Sequence, residues 1–176
     1  VAIGAECNSG NGFQSGHVRV FKNNNGNWTQ VGDDIDGEAS GGKSGYSVSL
    51  SSNGNVVAIG APLHGNSGNV RIYQNINDSW EKIGGDINEG FRNSLSLSAD
   101  GSVVAIGGRA NDGQTGIRGT VRIYQIINNN WIKVGDDIDG EAANDFSGES
   151  ISLSADGSIV AIGAECNSGN GFQSGH

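Results

Sequence analysis

Residues Ser47 to Pro62 read SVSLSSNGNVVAIGAP. Ser47 to Ser52 alternate small polar with apolar side chains, the period of a half-buried strand, and Asn53-Gly54 follows as a strong two-residue hairpin signal because both residues tolerate positive φ. Val56 to Pro62 is almost continuously apolar, which suits an inner strand covered on both faces. Two antiparallel strands, A and B, are therefore expected here. Downstream, NVRIYQ (Asn69 to Gln74) predicts a strand C with Arg71 and Tyr73 opposite Val70 and Ile72, and WEKIGGDI (Trp80 to Ile87) predicts a strand D. Four short strands in about fifty residues is the size of one propeller blade.

The same order recurs on both sides. SLSLSADGSVVAIGG (Ser94 to Gly108), TVRIYQ (Thr120 to Gln125) and WIKVGDDI (Trp131 to Ile138) form a second set, and SISLSADGSIVAIGA (Ser150 to Ala164) opens another. VAIG begins at Val1, Val57, Val104 and Val160, so units of 56, 47 and 56 residues add to a larger period of 159. Residues 1–17, VAIGAECNSGNGFQSGH, return unchanged as 160–176. The shorter middle unit loses its residues in loops, as a retained scaffold should.

The expected fold class is all-β, with tandem four-stranded antiparallel blades of propeller type. The expected division is a partial blade with strands B-C-D at 1–44, complete blades at 45–92 and 93–148, and a blade opening with A-B at 149–176. A ring closed from this stretch alone would hold strand B twice, and three blades are too few to close. The expectation is a window on a longer array of period 159, closing as a ring of two units or running on as a superhelix or fibre.

Composition agrees with many tight turns: 31 glycines, one proline and no methionine in 176 residues. A net charge of −9 argues against a nucleic-acid partner, because phosphate binding needs a basic surface. No apolar run is long enough to insert in a membrane, and the first residues carry neither a basic leader nor a cleavage site, so a leader is expected outside this sequence.

The phrases GYSVSLSSNGNVVAIGAP (Gly45 to Pro62), SGNVRIYQ (Ser67 to Gln74) and WTQVGDDIDGEA (Trp28 to Ala39) resemble the FG-GAP repeats of integrin-α-like β-propellers, especially the many-copy secreted type. Ser44-Gly45, Phe91-Arg92 and Ser147-Gly148 stand where that family has Phe-Gly. Gly60-Ala61-Pro62 is a full GAP, whereas Gly4-Ala5-Glu6 and Gly107-Gly108-Arg109 are degenerate. Calcium-binding members carry a DxDxDG loop just before the VAIGAP strand, and here only Ser52-Asn53-Gly54 or Ala99-Asp100-Gly101 fills that place. The resemblance implies an extracellular or cell-surface setting.

Candidate sites follow from the repeated phrases. GDDIDGEA offers Asp34, Asp36 and Glu38, and again Asp137, Asp139 and Glu141, as oxygens for a calcium ion; the plain alternative is a solvated acidic corner, since calcium wants six to eight oxygens. Asp86, Asn88 and Glu89 make a weaker middle set. Trp28, Trp80 and Trp131 open each strand D, as core residues or as platforms for a sugar. Asn27 and Asn77 head N-glycosylation sequons at the C–D turn, and Asn130 does not. Cys7 and Cys166 are one repeat position, to be read as a packed hydrophobe, a free thiol or a staple between units. Cys7 with His17 lacks an orienting third group, and no histidine has metal-ligand spacing. The sequence therefore points to a non-catalytic structural or adhesive protein that associates with neighbouring units or chains, with glycans or cell-surface proteins as further partners. A ligand-binding receptor propeller is the alternative.

Overall fold

The computed structural model describes residues 1–65, 68–88, 94–108, 117–169, 171 and 174–176. Glu89, Phe91, Arg92 and Arg109, singled out above, lie outside the described residues. Among the described residues there is no helix, and the chain forms four antiparallel sheets. The first contains β1 (Ala2–Ala5), β2 (His17–Asn24), β3 (Asn27–Gln30) and β4 (Ile35–Asp36). The second runs β5 (Ser47–Leu50), β6 (Val56–Ala61), β7 (Asn69–Ile76), β8 (Ser79–Lys82), each paired with the next. The third repeats this order with β9 (Ser94–Leu97), β10 (Val103–Gly108), β11 (Thr120–Ile127) and β12 (Asn130–Asp139). A fourth pairs β13 (Ser147–Leu153) with β14 (Val160–Ala164).

All six residues of β6, and all six of β10, are buried, because each strand is covered by a sheet on both faces. Alternation then decides which neighbour each side chain meets. Val57 and Ile59 face back to Val18 and Ile35 of the first sheet, while Val56, Val70 and Ile72 face forward to Leu97, Val104 and Ile106 of the third. Each buried valine or isoleucine contributes about 1.5–3 kcal/mol.

The A–B connection differs from the expected two-residue hairpin. It is a loop of four residues, 52–55, in which Gly54 alone has positive φ (74°) while Asn53 does not. The Asn53 side chain accepts from the Asn55 N–H at 2.9 Å, and the Ser51 hydroxyl both donates to Asn53 and accepts the Val56 N–H at 2.9 Å. Ser98 with Asp100, and Ser154 with Asp156, build the same turn. The two-residue primed turns lie instead between strands C and D. There Asn25-Gly26, Asn77-Asp78 and Asn128-Asn129 all take positive φ.

Strand D also departs from the expected single run. In the second sheet Tyr73 opposes Lys82 but Val70 opposes Ile87, so two extra residues bulge out of strand D; the first sheet is interrupted likewise between Gln30 and Ile35. Gly32, Gly84 and Gly135, with φ of 69–72°, make the kink. A bulge of this kind re-aims the side chains beside it.

Successive sheets are tied by bonds that recur at equivalent places. The Ser49 hydroxyl accepts the Leu97 N–H at 3.0 Å, and the Ser96 hydroxyl accepts the Leu153 N–H at 2.9 Å. Ser52 N–H donates to Ala99 O at 2.9 Å, and Ala99 N–H donates to Ala155 O at 2.8 Å. The A strands thereby adjoin, and the sheets fan out from them.

Candidate functional site

The strand D bulge gives the acidic phrase its role. In the second sheet it turns Asp86 over strand C, where Arg71 Nε donates to Asp86 Oδ2 at 2.9 Å and Lys82 Nζ to Oδ1 at 2.8 Å. Asn69 adds a bond to the same carboxylate at 3.1 Å. Arg71 also reaches across to Glu38 of the first sheet at 2.8 Å, so one buried guanidinium joins two blades. In the third sheet Arg122 donates twice to Asp137 Oδ2, from Nε at 2.8 Å and Nη2 at 2.6 Å, and Lys133 donates to Oδ1. The first sheet has a weaker version: His17 Nδ1 lies 3.3 Å from Asp34 Oδ2, and Gln30 takes the place of the lysine at 2.8 Å from Oδ1.

Electrostatics follow the geometry. Burial alone would raise the Asp86 carboxyl, but the bonds from Arg71 and Lys82 outweigh it and hold the group at about 2. The bonds from Arg122 and Lys133 hold Asp137 at about 2 as well. Desolvation works to lower Arg71, and is overcome by its bond to Asp86 and the charges of Asp86 and Glu38, so its pKa is raised. Burial pushes the Tyr73 phenol up.

These contacts show where the residues expected to hold calcium lie. Asp34, Asp36 and Glu38 do not converge: Asp34 faces His17, Asp36 sits on β4 opposite the His17 main chain, and Glu38 is taken by Arg71. Of the second set, Asp137 is held by cations of its own sheet, Asp139 accepts from the Thr120 hydroxyl at 2.6 Å, and Glu141 stands exposed. Among the described residues no group of three or more His, Cys, Asp or Glu could hold a metal. The sequence reading missed Arg71 and Arg122 as partners of the acids. The signal was present in the spacing, since arginine precedes its aspartate by 15 residues in both sheets.

The tryptophans divide. Trp80 packs between the first two sheets and donates to Val31 O at 2.8 Å, and Trp131 packs between the second and third and donates to Ile83 O at 3.0 Å. Trp28, also expected in a core, is 55% exposed, since among the described residues no further sheet lies against its indole. Asn27 opens β3 and Asn77 sits in the C–D turn, both exposed. Cys7 is exposed and Cys166 half-buried, and both are free thiols.

Between the first two sheets lies a cleft of about 290 Å³ lined by Asp33, Asp34, Asp36, Glu38, Tyr73 and Trp80. A second cleft, of about 640 Å³, runs between the Glu141–Phe146 loop and the loop that carries Cys166. In it the buried Asp145 accepts from the Ala142 N–H at 2.8 Å and from Asn167 at 3.1 Å, a loop clasp satisfied by the protein itself.

No family model matches the chain, and no curated protein matches it. Solved structures do resemble it in fold. A 6-phosphogluconolactonase-like protein of Bacteroides uniformis aligns with a TM-score of 0.56 at 16% identity, over 84% of this chain and 40% of the other. TolB of Acinetobacter baumannii aligns with a TM-score of 0.52 at 13% identity, over 84% of this chain and 32% of the other. Both are propeller-type folds, and this chain spans well under half the length of either. The class is therefore an all-β, propeller-like assembly of four-stranded antiparallel sheets.

Proposed function

We propose that this chain belongs to a non-catalytic extracellular repeat protein of FG-GAP type, with a structural or adhesive role and a setting at or outside the cell surface. The observation that carries this reading is the repetition of the inter-blade bonds. Ser49 and Ser96, Ala99 and Ala155, and Trp80 and Trp131 perform the same tasks one blade apart, so the chemistry of the sequence is spent on joining blades. A scaffold of this kind gains length by copying its unit, and the identity of residues 1–17 with 160–176 is what recent copying leaves. Its partners in this reading are neighbouring units or chains.

The second reading is the ligand-binding propeller of an adhesion receptor. It draws on the acidic, aromatic-lined cleft at Asp33, Glu38, Tyr73 and Trp80, which opens between blades where receptor heads grip ligands. The lactonase-like neighbour supports the fold alone at its 16% identity, and no enzymatic role is carried over from it.

Imaging of the parent protein purified from its source separates the two readings. Filaments or long superhelices are expected, whereas compact heads of six or seven blades would replace the structural reading by the receptor one. Peptide mass spectrometry of the same material tests the secreted setting: N-glycan is expected on exposed Asn27 and Asn77 if the source is a eukaryote, and none on Asn130, where Ile132 replaces the sequon hydroxyl.

A further inference from the structure

Each blade meets its neighbours through a forward face and a backward face, and among the described residues one face of each kind is uncovered. On the forward side, the Gly32 and Gly84 bulges are filled by Trp80 and Trp131 of the following blade, but nothing lies within 4 Å of the equivalent point on Gly135. Ile138 is exposed where Ile35 and Ile87 are buried. On the backward side Trp28 projects without a bulge to enter, and Val1 and Ile3 are exposed where Val57, Ile59, Val104 and Ile106 are buried.

The polar groups divide in the same way. Arg71 points back to Glu38 of the preceding blade. Arg19, its equivalent in the first sheet, is exposed, with its guanidinium 5.7 Å from the centroid of the Phe21 ring. Glu141, the equivalent of Glu38, is exposed at the other end. The turn glycines complete the set. Gly101 lies on Val56 and Gly157 on Val103, leaving those valines 5% and 9% exposed, whereas Ile159 in the same position is 69% exposed and Gly54 meets only Leu50 Cδ2 of its own sheet, at 4.0 Å.

We propose that the two open faces form a single docking surface for a second copy of the unit, with Trp28 of one copy seated in the Gly135 bulge of the other, Arg19 paired with Glu141, and Gly54 covering Ile159. This rests on the repeat-scaffold reading and names the contacts that would continue it. Numbering the second copy 159 residues further on puts all three pairs at the repeat positions that their templates hold. Every pair has a template inside the chain: Trp80 on Gly32, Arg71 on Glu38, Gly101 on Val56. Such a contact is heterologous, joining a forward face to a backward face, and so propagates from copy to copy.

Docking also has a consequence for the duplicated segment. In the continued array, residues 160–176 of one copy and 1–17 of the next claim the same place beside β13. Because their sequences are identical, either can supply strand B, and the other is released.

The test uses the full 176-residue chain in sedimentation and light scattering across a concentration series. Reversible, concentration-dependent association is expected. Trp28→Ala and Arg19→Glu should each weaken it by about tenfold or more, since a buried tryptophan and a desolvated arginine are typical anchors of an interface. Glu141→Arg should weaken it similarly, and mixing the Arg19→Glu chain with the Glu141→Arg chain should restore association, with the two chains alternating. Leu63→Ser removes an exposed apolar side chain outside the surface and should change nothing. These positions are exposed in the single chain, and unchanged melting of each variant at low concentration checks its fold.

Overturning results are a wild-type chain that stays monomeric up to about 1 mM, association that survives Trp28→Ala and Arg19→Glu, no restored association in the mixture, or equal loss in Leu63→Ser. Each of these removes the docking surface without touching the scaffold reading, which imaging of the parent protein decides separately.

Discussion

The indole nitrogen of Trp80 donates to the main-chain oxygen of Val31 at 2.8 Å, across the boundary between two sheets, and the ring lies against Gly32. A side chain at the Gly32 Cβ position would meet Trp80 Cδ1 at 2.9 Å. The contact thus needs a tryptophan on one blade and a glycine with positive φ on the other. Trp80→Phe keeps most of the apolar area and loses the bond, so a loss of about 1 kcal/mol is expected. Trp80→Ala should lose about 3 kcal/mol, near the lower end for a large aromatic because Trp80 is only half-buried. Urea unfolding of both variants measures the difference; a Trp80→Phe chain as stable as wild type would mean that the bond contributes nothing, and equal losses in the two variants that the ring's packing adds nothing.

Strand existence was legible from the sequence because alternation and continuous apolar runs report burial directly. Ser47 to Leu50 and Val56 to Ala61 are strands within the predicted stretches, and β6 is buried on both faces as its composition implies. The turns were less legible. Asn53-Gly54 carries the same letters as a primed hairpin, yet the Ser51 hydroxyl captures the Val56 N–H and opens the loop to four residues. The acidic phrase was only partly legible for a related reason, since sequence places the carboxylates near each other but does not say which cation of strand C the bulge will bring over them. Trp28 could not be told from Trp80 and Trp131, because what differs is the presence of a neighbouring sheet and not the local residues.

Acid stability should follow Asp86 and Asp137. Both carboxyls are held at about 2, below the ordinary value near 3.9, so each favours the folded state while ionised. Their contribution is fully present above pH 4 and is lost as pH falls from 4 toward 2. After discounting for solvent screening it amounts to about 1 kcal/mol each. The melting temperature should accordingly decline across that interval, and Asp86→Asn should flatten the decline. A melting temperature indifferent to pH between 4 and 2 would show that the arginine clamps contribute no net stability.

Ser98 tests the recurring turn. Its hydroxyl donates to Asp100 Oδ1 at 2.7 Å and accepts the Val103 N–H at 3.0 Å, and the residue is fully buried. Ser98→Ala leaves that main-chain donor without its partner, and a loss of about 1–3 kcal/mol is expected. Gly101→Ala should be worse than its φ of 76° alone implies, because a Cβ there would lie 2.6 Å from the Cβ of Val56 on the neighbouring blade. Gly135→Ala has similar φ strain with open space around it, so its loss should stay near 1 kcal/mol. Chemical denaturation of the three variants checks the order; a Gly135 variant as damaged as the Gly101 variant would refute the packing part of the argument.

Calcium supplies the last expectation. A hard cation at the first GDDIDGEA corner would have to draw Glu38 from the buried guanidinium of Arg71, and one at the second would have to draw Asp137 from Arg122 and Lys133. The remaining carboxylates, Asp34 and Asp36 at the first corner and Asp139 and Glu141 at the second, supply too few oxygens for an ion that takes six to eight. Adding millimolar calcium, or removing it with a chelator, is therefore expected to leave the melting temperature of this chain unchanged. Isothermal calorimetry on wild type and Arg71→Met extends the test. Removing the guanidinium frees Glu38 and loosens Asp86, so weak calcium binding is expected to emerge only in the variant. A wild-type chain that binds calcium and gains thermal stability from it would show that the acidic phrase serves the ion before it serves the arginines.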